Sequence, residues 1–365
     1  MVAGGVAQGV MCRPERARRR AADPERTPDV KYIDAFNHFF PRAFFDRMLA
    51  IPGTEQAIGK RVRGVPCIYD LDERMRVMDM FKDKNYSQVL SISQPPLEQL
   101  GTPELGHELS KVANDGLAEL CAKYPERFPG YTASVCMTHP DAARELERAY
   151  ANGANGVQIY SNIAGRPLDE PEFYGIFEVS AKAGKPILIH PARAADMTDY
   201  KSEDKSKYEI WWTFGWPYET SAAMARIVFS GMLDKLPELK IVAHHLGAMV
   251  PYFEGRVGPG WDQLGKRTSD EDYSVVLKNL KKRPFDYFKD FYADTATFGA
   301  RPAMECGLAF YGQDKVLFAS DCPFDPEKGP GYIRETIAVL ESIDMPQEMR
   351  EKIAYKNAEE LFGLK

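Results

Sequence analysis

Eight short apolar runs, alternating with longer helix-prone stretches, constrain this chain more than any other feature of its sequence. The runs are KYIDAF (31–36), YSQVLSI (86–92), GYTASV (130–135), NGVQIY (155–160), KPILIH (185–190), LKIVAH (239–244), DFYADT (290–295) and KVLFAS (315–320). Several are nearly continuous in apolar residues, as strands covered on both faces by crossover helices must be. Helix candidates lie between them at 71–84, 104–124, 140–152, 171–183, 217–235 and 300–311, with a terminal pair at about 331–342 and 346–362. Eight such units predict an α/β fold of the (β/α)8 barrel type. An open doubly wound sheet would normally carry a Gly-rich turn after an early strand, and none is present.

The chain has 365 residues, more than the roughly 250 of a plain barrel. The surplus falls in two segments, 41–70 after the first strand and 191–216 after the fifth. Both should lie over the C-terminal face, where a barrel keeps its active site. Residues 1–29, with six Arg, four acids, three Pro and no aromatic residue, read as a disordered extension ahead of one barrel domain spanning 30–365. A charge of −6, from 47 basic and 53 acidic residues, offers no field for nucleic acid or an anionic membrane. No run approaches the roughly 20 apolar residues of a membrane span. Cysteines at 12, 67, 121, 136, 306 and 322, without a CxxC pair, read as reduced thiols of a cytoplasmic protein.

Only six histidines are present, and four fall at or just past the end of a predicted strand: His38, His190, His244 and His245. Asp321 follows the eighth run in the same way. A barrel gathers these ends into one cup, so residues distant in sequence can converge on one ion, and imidazole and carboxylate donors suit Zn²⁺ or another first-row divalent metal. Singly, each histidine could instead bond a loop carbonyl; together they favour a site. His107, within a helix, and His139, at a helix start, read as structural. Adjacent strand residues point to opposite faces, so only one of His244 and His245 can look into the barrel unless the strand has ended.

The pieces IDAFNHFFP (33–41), ILIHPAR (187–193), FGWPYETSAAMARIVFSGMLDKLPELKIVAHHLGAMVPYFEGR (214–256) and FASDCPF (318–324) resemble the amidohydrolase-related family that includes aminocarboxymuconate-semialdehyde decarboxylase and resorcylate-type decarboxylases. The resemblance implies a metal-dependent barrel that cleaves C–C bonds, usually as a decarboxylase. By it, His38, His190 and Asp321 match metal ligands and His245 matches the catalytic histidine. The usual His-x-His after the first strand is Phe36-Asn37-His38 here, so one ligand is lost. Three protein ligands plus water still make an open site, His244 could replace the missing donor, or metal binding has weakened or vanished.

Arg61 or Arg63, in the first insertion, where the family supplies an arginine, or Arg193, three residues past His190, would grip a carboxylate with a guanidinium fork. Trp211, Trp212, Phe214 and Trp216 could wall an aromatic substrate or fill a subunit interface. Asp34 is a candidate to orient a ligand from behind, and Asp294, at the end of the seventh run, could ligate directly, orient a ligand or cap the following turn. The expected activity is non-oxidative decarboxylation of a small aromatic or muconate-like carboxylic acid. Zn²⁺ is the first choice of metal and Mn²⁺ the second, with His245 as general acid/base in a homodimer or higher homo-oligomer. Hydrolysis of a lactone, ester or amide is the enzymatic alternative, and a metal-free binding barrel the other.

Overall fold

The computed structural model describes residues 30–364; the extension predicted to be disordered lies outside them. All eight expected strands form: β1 (Tyr32–His38), β2 (Tyr86–Ser91), β3 (Gly130–Ser134), β4 (Gly156–Tyr160), β5 (Ile187–His190), β6 (Ile241–Ala243), β7 (Tyr292–Asp294) and β8 (Val316–Leu317). Each pairs in parallel with its neighbour in sequence. The ring closes where Ala35 N–H reaches the Phe318 carbonyl at 2.9 Å, His38 N–H the Cys322 carbonyl at 2.8 Å, and Asn37 bridges Cys322. This is the (β/α)8 barrel that the strand–helix alternation predicts.

Helices start where the sequence offers caps. Asp70 accepts from the backbone of Asp72 and Glu73 ahead of Leu71–Asp79, and Thr102 caps Pro103–Lys123 with proline at the first helical position. Gly184 ends Tyr174–Ala183 in the left-handed conformation that glycine adopts without steric cost. Three expected helices are interrupted: the 71–84 stretch is helical only to Asp79, with a tighter turn at Lys82–Lys84. The 217–235 stretch breaks after Phe229 and resumes at Met232, and the last one unwinds into a wider turn at Lys352–Lys356 before Asn357–Phe362. Among the described residues, no helix is long and apolar enough to cross a membrane.

The barrel interior is layered. Ile33, Val89, Leu188, Val242 and Leu317 pack with Ala358, Leu361 and Phe362, so the last helix plugs the N-terminal end. Above lies a small layer of Phe36, Ala296 and Ala319. Inward residues should recur every second position, as Leu188 and His190, Val242 and His244, and Leu317, Ala319 and Asp321 do. β1 departs from that period. Its register with β2 slips between Asp34 and Asn37, and this bulge turns Phe36 and His38 inward where strict alternation from Ile33 and Ala35 would have presented Asn37.

Candidate active site

His38 is the last residue of β1 and His190 the last of β5. β6 ends at Ala243, so the rule that would expel one of the adjacent histidines no longer applies. His245 and Leu246 take left-handed backbone angles (φ 56° and 53°), as does Asp321 (φ 61°). Such conformations cost non-glycine residues energy and cluster where side chains must be aimed. Gly247, at φ 71°, is required by space as well: a Cβ there would sit 1.9 Å from the Tyr311 hydroxyl.

Hydrogen bonds fix the tautomers of the four imidazoles. His190 Nδ1 lies 2.7 Å from the Pro191 carbonyl and His245 Nδ1 2.7 Å from the Ala296 carbonyl, so each must donate there. His244 Nδ1 donates to the Asp294 carboxylate, whose other oxygen accepts from His245 N–H at 3.1 Å. Ser91 Oγ gives its proton to the Asn37 carbonyl at 2.7 Å, leaving it to accept from His38 Nδ1 at 3.1 Å. Every Nε2 is thereby left with a free lone pair, the form in which imidazole binds metals. Those of His38 and His244 are buried without a hydrogen-bond partner. Burial, with His244 and Arg74 near His38 and with His38 near His190, holds both His38 and His190 well below the usual imidazole range.

Asp321 Oδ1 faces His38 Nε2 at 3.2 Å. Two electron-pair donors in that position need a proton or a cation between them. Burial pushes the Asp321 carboxyl up to about 6, against the pull of His245 and Arg61. Two orphaned lone pairs, three imidazoles locked from behind and a buried carboxylate fit a divalent cation in the chemistry of the donors. Among the described residues, however, no three His, Cys, Asp or Glu side chains close on a common point.

Beside them opens a cavity of about 410 Å³ whose lining includes His190, His245, Asp321, Arg61, Trp212, Trp216, Phe298, Phe324 and Tyr332. Arg61, from the first insertion, donates to the Phe324 carbonyl at 2.5 Å and lies 4.8 Å over its ring. The other arginines are used elsewhere. Arg193 pairs with Glu219 at 3.0 Å, reaches the Met197 and Thr198 carbonyls and stays out of the cavity wall, which corrects its reading as a carboxylate clamp. Arg63 donates to Thr54. Of the aromatic run, Trp212 and Trp216 wall the cavity, Trp211 packs on Trp216, and Phe214 is exposed. Asp294 holds the histidines from behind, while Asp34 lies deeper, bonded to Tyr86 and Ser320.

Sequence reasoning missed Phe298, Tyr332 and Arg74. Tyr332 lies in the first turn of the helix Pro330–Ser342, fixed by Asp325, which accepts from the backbone of Glu327, Gly329 and Gly331. The DPEKGPG run (325–331) carries that turn signal. Buried Arg74 donates to the His38 and Cys67 carbonyls, to Gln88 and to Cys322, tying four segments under the cup.

Residues 33–364 match the family model described as amidohydrolase. The chain is 27% identical over 295 residues to 2-amino-3-carboxymuconate-6-semialdehyde decarboxylase of Dictyostelium discoideum, covering 80% of this chain and 77% of that one. It is 29% identical over 307 residues to gamma-resorcylate decarboxylase of a Polaromonas species, with 80% and 87% covered. The crystal structure of 5-carboxyvanillate decarboxylase from Novosphingobium aromaticivorans, complexed with manganese and 4-hydroxy-3-methoxy-5-nitrobenzoic acid, superimposes with a TM-score of 0.75 at 28% identity, covering 93% of this chain and all of that one.

Proposed function

This chain belongs to the amidohydrolase family, and we propose that within it the protein is a metal-dependent non-oxidative decarboxylase of a small aromatic carboxylic acid. The observation that carries the reading is that His245, Asp321 and Arg61 line one aromatic-walled cavity. The relatives named above, decarboxylases of aromatic or muconate-type acids, support the reaction class.

The acid's ring lies between Trp212, Trp216 and Phe298, which exclude water and strengthen every charge interaction inside. Arg61 presents its remaining N–H groups to the carboxylate. His38, His190 and Asp321 would hold a divalent cation, which when bound would supply Lewis-acid stabilisation of developing negative charge. His38, His190 and Asp321 serve it only in the deprotonated form. The manganese in the neighbouring structure supports Mn²⁺ at least as well as Zn²⁺. His245, with Nδ1–H fixed on the Ala296 carbonyl, is the general acid: its protonated Nε2 gives a proton to the carbon that bears the carboxylate. The C–C bond then breaks, its electron pair restores conjugation, CO2 leaves, and the imidazole takes a proton from solvent. Five described cysteines are free thiols, which supports a cytoplasmic setting, and exposed Tyr208, Phe214 and Tyr252 support a homo-oligomer.

Turnover of hydroxybenzoates in heavy water tests the reaction. One deuterium on the carbon that carried the carboxylate, with one CO2 per product, is expected. Solvent oxygen in the product without CO2, from aryl esters or lactones, would replace the decarboxylase with a hydrolase.

A further inference from the structure

Four imidazoles surround one phenyl ring. Phe36, 1% exposed, stacks on His244 with 3.5 Å between centroids and 19° between planes. It meets His38 edge-on at 4.6 Å and lies 5.4 Å from His190 and 5.7 Å from His245. The bulge in β1 puts this ring on the inward face beside His38, where a polar side chain would be a donor, and a phenyl ring has none to offer. It also stacks on the face of His244, whose Nδ1 donates to Asp294 and whose Nε2 lone pair stays free. His38, His190, His244 and Asp321 therefore remain as the chain's donors, and no three of them converge on one point.

Divalent first-row cations take four or more donors, so this chain leaves a large part of the shell to be filled from outside. An acid with a hydroxyl beside its carboxylate offers two oxygens at once. We propose that Phe36 makes cation binding conditional on the acid: the chain alone holds the ion weakly, and the ion and a chelating acid each tighten the other. The coupling is reciprocal by thermodynamic necessity and typically spans about 5–150-fold. The inference rests on the carboxylic-acid reading of the cavity.

The test is a titration of the full chain with Mn²⁺, followed by electron paramagnetic resonance, with and without saturating 2-nitrophenols. In these the nitro group stands for the carboxylate and no CO2 can leave. Mn²⁺ alone should bind weakly and tighten at least roughly fivefold when the nitrophenol is present. An outer partner of a ligand is worth about 10–100-fold in affinity, so Phe36→Glu, which adds an inner donor, should tighten Mn²⁺ alone by roughly tenfold or more and shrink the coupling. Phe36→Leu removes the ring without adding a donor and should leave Mn²⁺ weak. If Phe36→Glu does not fold, the wild-type and Phe36→Leu titrations still decide. A nitrophenol that binds while the Mn²⁺ affinity stays unchanged overturns the inference alone; nitrophenols that bind under no metal condition overturn it together with the reading on which it rests.

Discussion

At the scale of single residues the cup is a set of side chains locked from behind, and each lock makes a separable demand. His245 is held by Ala296 and Asp294, not by the putting-together of metal donors. His245→Asn should therefore keep fold and Mn²⁺ while kcat falls by about 10²–10⁴, the usual worth of a general acid; Mn²⁺ titration of variant and wild type in the presence of a saturating 2-nitrophenol checks the first part, and weaker binding in the variant would make His245 a ligand. Asp34 obeys another logic. Burial, opposed by bonds from Ser320 and Tyr86, raises its carboxyl to about 6. Its ordinary value lies near 3.9, so as pH rises from 4 to 6 the unfolded chain gives up a proton that the folded chain retains, and folding stability contributed by this group is lost through that window. In Asp34→Asn the loss is absent. The difference in unfolding free energy between variant and wild type should move toward the variant by up to roughly 3 kcal/mol between pH 4 and pH 7, measured by urea unfolding of metal-free protein. A difference that stays flat with pH would mean that Asp34 is already ionised at pH 4.

At the scale of elements, what the sequence makes legible is whatever obeys a period. All eight strands and their order follow from apolar alternation, and the two insertions over the site follow from surplus length. The bulge in β1 does not, because no Gly or Pro marks it; only the closure of β1 on β8 shows that Phe36 and not Asn37 faces the histidines. Arg193 misleads for a related reason: its distance from His190 in sequence suits a clamp, but Glu219 on the following helix claims it. Arg74 is invisible because two of its four partners are backbone carbonyls, which carry no sequence signature, and the other two, Gln88 and Cys322, lie far from it in the chain. It nevertheless joins the end of β1, the first insertion, β2 and the loop after β8. Arg74→Met keeps much of the volume but orphans those buried acceptors. A loss of about 1–3 kcal/mol for each acceptor left unsatisfied is expected, so the variant should unfold at markedly lower urea concentration and, with a 2-nitrophenol present, release Mn²⁺ more readily in a dialysis competition with a chelator. Unchanged stability would mean that water replaces the guanidinium.

At the scale of the whole molecule the barrel divides its labour between two ends. The C-terminal face carries the histidines, Asp321, Arg61 and the aromatic cavity, while the N-terminal end is sealed by Ala358, Leu361 and Phe362 against Ile33, Val89, Leu188, Val242 and Leu317. Between them lies the thin layer of Phe36, Ala296 and Ala319. This separation predicts how damage at the bottom propagates. Phe362 is 4% exposed, and truncating a buried Phe to Ala typically costs about 3–5 kcal/mol through lost transfer energy and the cavity left behind. The positions of His38, His190 and Asp321, in contrast, are set by the strand pairings and by bonds at the upper rim, none of which involves Phe362. Phe362→Ala should thus lower unfolding free energy by that amount while kcat, measured at a temperature where both proteins are fully folded, stays within about twofold, a shift of under 0.5 kcal/mol in barrier height. A fall of tenfold or more in kcat at full folding would show that the interior layers transmit the bottom seal to the cup, and the division of the barrel into a stabilising end and a chemical end would not hold for this chain.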